Sequence, residues 1–401
     1  MVWVVKTLAT SAFLAGGAEE KLNSRYRLNL SYLPSTLLYD ISGRLHERGP
    51  PAVSGYRVPS PRRARMSDMA VAGGRAAWRG RLGAGEVAAR TAPDTSRMLQ
   101  LALAGVWLLD GVLQYQSFMF TKAFGQMLAG TAAGNPGVIA SPINWDARLV
   151  EHHGVALNAT FATIQLLLGI GIACRPTVRV ALGASIAWAL GVWWFGEGLG
   201  GVLTGAASPL NGAPGAVIIY ALLAVLLWPA DRGGAPVPFA AARAVGAQAA
   251  RALWLVLWLS LAYFALLPAN RAPQALNGMI AGMASGEPGW LAAIDRNAAA
   301  LVAHQGLAAS VVLAIALVLI AVGVYLPTPA ARTALVLAIV VAAVIWVVGE
   351  AFGTILAGGA TDPNSGLLLI LLALAYWPAR TMAVAVPGQS RAGHATEGPP
   401  A

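Results

Sequence analysis

The sequence predicts an all-helical membrane protein, a polytopic bundle of about eight spanning helices arranged as two tandem four-helix repeats in the same orientation. The chain of 401 residues is 57% hydrophobic and only 11% charged, whereas a soluble domain carries about 25% charged residues. Long apolar runs recur after residue 98. Landmarks of the first set of runs return in the second set at an offset of about 152 residues, which indicates an internal repeat: residues 149–154 return as 301–306, and Gly196-Glu197 returns as Gly349-Glu350.

Residues 1–97 differ from the rest of the chain. They contain Arg, Pro, Gly and Ser clusters and no sustained hydrophobic periodicity. This composition favours a disordered basic segment. A start codon at Met66 or Met98 is an alternative, and the mildly apolar residues 3–14 leave a signal peptide open as another.

Eight apolar segments account for the predicted bundle, since a spanning helix needs about 20 residues. They are residues 99–120, 149–173, 179–196, 214–229, 252–268, 299–324, 333–349 and 366–379. The fourth and eighth are short and follow Gly/Pro-rich loops. The predicted organisation is a first membrane repeat at 98–232, a cytoplasmic linker at 233–251, a second repeat at 252–380 and a disordered tail at 381–401.

The net charge of +10 follows a membrane pattern. Much of the excess lies in the N-terminal segment, and the rest lies in short loops between the apolar runs. At one end of the predicted helices the loops carry Lys122, Arg148, Arg271 and Arg296 accompanied by acids, whereas the loops at the other end are rich in arginine. These loop residues are Arg175, Arg179, Arg232, Arg243, Arg251, Arg332, Arg380 and Arg391. The positive-inside rule therefore places both termini in the cytoplasm, with the lipid bilayer and not nucleic acid as the expected partner.

A Gly–Glu motif follows the third and the seventh apolar run. Its residues are Gly196, Glu197 and Gly200 in the first copy and Gly349, Glu350 and Gly353 in the second. Glycine allows a sharp turn, and a glutamate there can cap the amides of a following helix. Retention in both halves favours architecture at the outer face, with Glu197 the copy that takes part in a site and Glu350 the structural copy.

Polar side chains within the first two spans predict a crevice open to the outer face. Asp110 lies near the middle of the first span, and a carboxylate inside a membrane is a functional candidate by default. The predicted lining is Asp110, Gln114, Glu151, His152, Asn158, Gln165 and Glu197. Glu151, Asn158 and Gln165 are spaced by seven and share one helix face. For the two amides, the alternative is an interhelical hydrogen bond.

Histidines offer a metal or haem alternative at the same face. His152 and His304 occupy equivalent repeat positions, and His152, His153 and Glu197 are candidate N/O ligands. Two symmetry-related histidines could also flank a haem. The competing interpretation is an interfacial histidine that bonds loop carbonyls. Trp193 and Trp194 are candidates to pack a flat ring such as a quinone.

The turn between the second and third spans resembles that of DoxX-like membrane proteins. The matching residues are 165–172, with the sequence Gln-Leu-Leu-Leu-Gly-Ile-Gly-Ile, and 175–182, which contain Arg-Pro-Thr-Val-Arg. The second half keeps the turn loosely at 327–334. The resemblance implies a four-helix bacterial inner-membrane unit, some of whose relatives are linked to quinone-dependent sulfur oxidation or redox-stress complexes. The family often has an acid where Gln165 stands.

Three functional hypotheses follow, and the sequence identifies no reaction and no enzyme class. The first is a redox- or quinone-associated accessory protein with a membrane redox partner or a homo-oligomeric assembly. The second is a transporter for a small polar or cationic solute that uses Asp110. The third is a structural membrane scaffold.

Overall fold

The computed structural model describes residues 94–230 and 237–379. The predictions for residues 1–93 and 381–401 fall outside this part of the chain. The helices of the first half are α1 Thr95–Leu113, α2 Lys122–Gly130, α3 Gly137–Ala173, α4 Val178–Phe195 and α5 Ala216–Leu226. A short helix follows, α6 Ala242–Val245. The second half contains α7 Ala247–Ala265, α8 Pro268–Arg271, α9 Ala275–Met283, α10 Gly289–Leu301, α11 Gly306–Gly323, α12 Thr328–Val344 and α13 Asn364–Ala375.

The helices identify a multi-pass membrane protein. In the described residues, 6 helices are long and apolar enough to cross a bilayer: α1, α3, α4, α7, α11, and α12 with its continuation to Ala357. Helices α5 and α13 are as apolar but contain only 11 and 12 residues. At 1.5 Å per residue such helices are about 17 Å long, which is less than the hydrocarbon core of about 30 Å.

Helix α11 illustrates how these helices suit a lipid environment. Its buried face contains Ser310, Ala314 and Leu317, which pack into the bundle. Its other face exposes Val311, Val312, Ile315, Leu319 and Val322. Hydrocarbon is the solvent that such a face suits, because apolar side chains gain nothing from contact with water. The apolar helices are therefore compatible with direct contact with the bilayer.

Helix α1 ends earlier than its apolar run predicts. The first span was expected at 99–120, but the helix ends at Leu113. The side-chain amide of Asn158 on α3 donates to the carbonyl oxygen of Gln114 at 2.6 Å and satisfies one of the free carbonyls at this helix end. The apolar residues that follow belong to a separate cluster, in which buried Met119 packs with Phe124 of α2.

Helix α3 is longer than the membrane is thick. It contains 37 residues, about 55 Å of helix. His153 has non-helical backbone angles, so the helix bends there, close to the predicted start of the second span at residue 149. The part before the bend packs against α2. In the second half, α10 ends at Leu301 and α11 starts at Gly306, with α9 packed against α10.

The segment between the halves is ordered where the structure describes it. Phe239 forms an antiparallel bridge with Pro378, and its ring stacks on Tyr376 at 5.1 Å between centroids. The amide of Ala241 donates to the carbonyl of Ala375 at the end of α13. This part of the predicted linker therefore packs against the end of α13. Helix α7 begins at Ala247, five residues before the expected span at 252.

Candidate functional site

The two Gly–Glu motifs adopt the same local geometry. In each, the helix ends at the motif, and the next residues turn through left-handed conformations that favour glycine. Gly200 has φ 62° and Gly353 has φ 71°. The indole of Trp193 donates to the carbonyl of Pro214 at 2.6 Å, and the indole of Trp346 donates to the carbonyl of Pro363 at 2.7 Å. Each tryptophan thereby ties its helix to the chain just before the next helix.

Glu350 caps α13. The side chain is 2% exposed. Its carboxylate accepts from the backbone N–H of Ser365 at 3.3 Å and of Gly366 at 2.9 Å, and also from the Ser365 hydroxyl. These amides are among the donors that a helix N-terminus leaves free. Both carboxylate oxygens are occupied, as the predicted structural role requires.

Glu197 caps α5 only in part. One oxygen accepts from the backbone N–H of Val217 at 3.3 Å. The other oxygen, Oε2, is buried and has no hydrogen-bond partner. Gly215 makes room for it, since a Cβ there would lie 2.3 Å from Oε2. Burial raises the pKa of this carboxyl well above its usual range, and the negative charge of Asp362 adds to the rise.

Asp110 lies in the last turn of α1 rather than in the middle of a span, because α1 ends at Leu113. It is 1% exposed. Its Oδ2 accepts from the Tyr220 hydroxyl of α5 at 2.6 Å, and its Oδ1 is buried without a partner. The ring of Tyr220 packs on Trp107 with centroids 4.4 Å apart. Asp110 is therefore held by two helices of the first half.

The surroundings of Asp110 present acceptor oxygens. Gln114 and Asn158 are buried, and the side-chain oxygens of both lack a partner. The nearby Gln116 reaches the second half, where its amide donates to the carbonyl of Ala360 at 3.4 Å, and its own oxygen is also without a partner. Asp110 and Gln114 at the end of α1 and Asn158 of α3 are buried, whereas the prediction placed them along an open crevice. The hydrogen bond of Asn158 confirms the interhelical role considered for that amide.

Asp362 is a further acidic residue near this site, and it belongs to the second half of the chain. Sequence comparison of the two halves did not identify it. Its carboxylate caps α13 by accepting from the backbone N–H of Asn364 at 2.7 Å and accepts from the Thr361 hydroxyl at 2.8 Å. Its negative charge raises the pKa of Glu197. Its loop also approaches the end of α1, where the amide of Gln116 donates to the carbonyl of Ala360 at 3.4 Å. We call Asp110, Glu197, Glu350 and Asp362 the acidic centre.

Within residues 94–230 and 237–379, no basic side chain forms an ion pair with the acidic centre. Its members lie in stretches 98–121, 180–231 and 333–379, which contain no Lys or Arg. Helix N-termini supply partial positive charge to Glu350, Asp362 and Glu197. Asp110 lies instead at the carboxyl end of α1, where the helix dipole is unfavourable to an anion.

The remaining predicted crevice residues lie elsewhere. Glu151 is half-buried against Gly125 of α2, where a Cβ would lie 2.4 Å from its Cγ. His152 and His153 are exposed, and Nδ1 of His152 lies 2.7 Å from the carbonyl oxygen of Arg148. Gln165 is buried on the same side of α3 as Asn158, and its side-chain oxygen has no partner.

His304 occupies the break between α10 and α11. It is exposed, has φ 64°, and contacts the side-chain amide of Gln274 at 2.8 Å. Over residues 94–230 and 237–379, no group of three or more His, Cys, Asp or Glu is arranged to hold a metal ion. The candidate ligands His152, His153 and Glu197 therefore do not form a metal site. The contact of His152 is with a carbonyl of its own helix and that of His304 is with a side-chain amide, so neither histidine bonds a loop carbonyl through the contacts described.

Comparison of the chain with protein-family models, curated proteins and solved structures gave no match.

Proposed function

We propose that this protein transports a small cation across the membrane and that Asp110 is the carboxylate that binds it. The observation that carries the proposal is the state of Asp110 in the protein. One oxygen accepts from Tyr220, and the other is buried with no partner. A buried ionisable group within an apolar spanning helix is costly and is a functional candidate by default.

The chemistry of the surroundings supports a hard cation or a proton. The buried side-chain atoms without partners at Asp110, Gln114, Asn158 and Glu197 are all oxygens. Carboxylate and amide oxygens are the ligands that hard cations prefer. Since no three acidic or histidine side chains in the described residues converge on one point, a single positive charge fits better than a divalent ion.

The proposal includes the finer architecture. We infer eight crossings in two repeats of the same orientation, with α5 and α13, extended by the residues that flank them, as the fourth and eighth. The matching helix order, the paired tryptophan hydrogen bonds and the two capping glutamates support it. The acidic centre then lies where the halves meet, as in many transporters. The arginine distribution supports cytoplasmic termini in a bacterial inner membrane.

The redox- or quinone-accessory role and the DoxX-like relationship stay predictions. Trp193, considered for ring packing, uses its indole N–H on Pro214, and exposed Trp194 stacks on Phe195 with centroids 5.9 Å apart. These contacts do not favour a quinone over packing within the protein. A scaffold role explains the caps but not the unpartnered carboxylate oxygen of Asp110.

Transport is tested with the full-length protein in proteoliposomes, by uptake of H⁺, Na⁺, K⁺ and tetramethylammonium. We expect uptake of at least one of them, and Asp110→Asn should lower its rate about tenfold or more, because a charged contact contributes roughly 1.5–3 kcal/mol. Tyr220→Phe, which keeps the ring packing and removes the hydroxyl, should give a smaller loss.

The matched control is Asp146→Asn. Asp146 lies on α3 before the bend at His153, is partly buried and has no hydrogen bond or ion pair among the described residues. Its rate should equal that of the wild type. Wild-type protein that moves none of the four cations would contradict the proposal. So would a folded Asp110→Asn protein with undiminished uptake.

A further inference from the structure

A cavity opens at the arginine-rich end of the bundle, at the opposite end of α1 from the acidic centre. Its volume is about 270 Å³, and it lies between the start of α1, the end of α3 and the end of α5. The polar lining consists of Asp94, Ser96, Arg97, Gln100, Arg175 and Arg243. Three positive charges and one negative charge thus surround it.

The three arginines of the cavity differ in how many of their hydrogen-bond donors already have partners. Arg97 donates to the carbonyls of Ile172 and Ala173 at the end of α3 and to the side chain of Gln100. Its role is mainly to cap α3. Arg243 lies 3.5 Å from Asp94 in a pair that is about half-exposed. Arg175 is exposed and has no hydrogen-bond or ion-pair partner in the described residues.

A second observation points to a ligand. The hydroxyl of Ser96, a residue only 7% exposed, lines the cavity and has no hydrogen-bond partner. Ser96 is in the first turn of α1, where the helix dipole is positive. The Asp94 carboxylate already caps this helix end by accepting from the backbone N–H of Ser96 at 3.2 Å. The donors that remain for phosphate oxygens are the Ser96 hydroxyl and the Arg175 guanidinium, with Arg243 beside them in its exposed pair.

We propose that this cavity binds a phosphate group, carried by the headgroup of an anionic phospholipid or present as free phosphate. The cavity lies at one end of helices that cross the bilayer, which is where headgroups lie. Indole and apolar groups from Leu226, Leu227 and Trp228 complete the wall and suit the glycerol and acyl part of a lipid. The proposal is independent of transport, so Asp110→Asn should leave binding unchanged.

The test uses the full-length protein in dodecyl maltoside. Native mass spectrometry compares binding of phosphatidylglycerol with that of phosphatidylcholine, and calorimetry measures inorganic phosphate. We expect selective binding of phosphatidylglycerol, weakened about tenfold or more by Arg175→Ala and by Arg243→Ala, because each removes charged hydrogen bonds. Neither variant removes the Arg97 cap, so the fold should persist, which thermal unfolding checks.

Arg332→Ala is the control. Arg332 is exposed near the start of α12 and does not line the cavity, so its loss lowers the surface charge without changing the site. Binding of inorganic phosphate that depends on Arg175, without lipid selectivity, would support the site and assign a soluble source. Binding of neither probe, or an equal loss in Arg332→Ala, would overturn the proposal.

Discussion

Replacing Gly200 with alanine should destabilise the protein by more than about 3 kcal/mol, the range expected when a left-handed conformation and a steric clash add together. Gly200 has φ 62°, and a Cβ there would lie 2.0 Å from the carbonyl oxygen of Pro214. Because the obstacle is backbone, no side-chain rotation relieves it. Thermal unfolding of the detergent-purified variant measures the loss.

The adjacent Gly201 provides the matched control. It is also left-handed, with φ 68°, but the nearest atom to an added Cβ is the Thr204 hydroxyl oxygen at 3.7 Å. Gly201→Ala should therefore lose only the conformational term, about 1–2 kcal/mol. Equal unfolding temperatures for the two variants would contradict the close approach of the Pro214 carbonyl to Gly200.

Replacing Glu350 with glutamine should destabilise the protein by about 2 kcal/mol, in the range for buried charged hydrogen bonds. In the wild type the carboxylate accepts from the N–H of Gly366 at 2.9 Å. The glutamine amide keeps one acceptor oxygen for Ser365, but its NH₂ group then faces the N–H of Gly366. Two donors would then face each other at a buried position. The measurement is the shift of the thermal unfolding midpoint.

Glu197→Gln is the informative comparison for that result. Only one oxygen of Glu197 accepts a hydrogen bond, so an amide can keep it and place its NH₂ group where Oε2 has no partner. The loss should be below about 1 kcal/mol, since no hydrogen bond is broken. A larger loss for Glu197→Gln than for Glu350→Gln would reverse the assignment of the structural copy.

Hydrophobic periodicity predicted the apolar helices better than their ends. The sequence predicts a first span that reaches residue 120, because Phe118, Met119 and Phe120 continue an apolar run. In the structure they form a separate turn, and Met119 is buried against α2 and α3. The hydrophobicity of a residue indicates that it favours burial, but it does not indicate which cluster of side chains it packs into. The short helices α2 and α9 were missed because neither has the length of a span.

The acidic centre could be predicted only in part. Asp110 and Glu197 were recognised because a lone acid in an apolar stretch is conspicuous in any sequence. Asp362 was missed because alignment of the two halves compares equivalent positions, whereas Asp362 acts on Asp110 across them. Such proximity of charges depends on tertiary packing. The absence of any Lys or Arg from residues 333–379 is the sequence signal that could have found it.

The bend in α3 has a consequence for imaging. Residues 137–152 continue a spanning helix for about 24 Å, as their number and the helical rise dictate. They pack against α2 through the close contact of Gly125 with Glu151. An antibody fragment raised against this hairpin would therefore attach rigidly to the protein of 41.3 kDa. It would add the mass and asymmetry that particle alignment needs, at the same end of the molecule as the acidic centre.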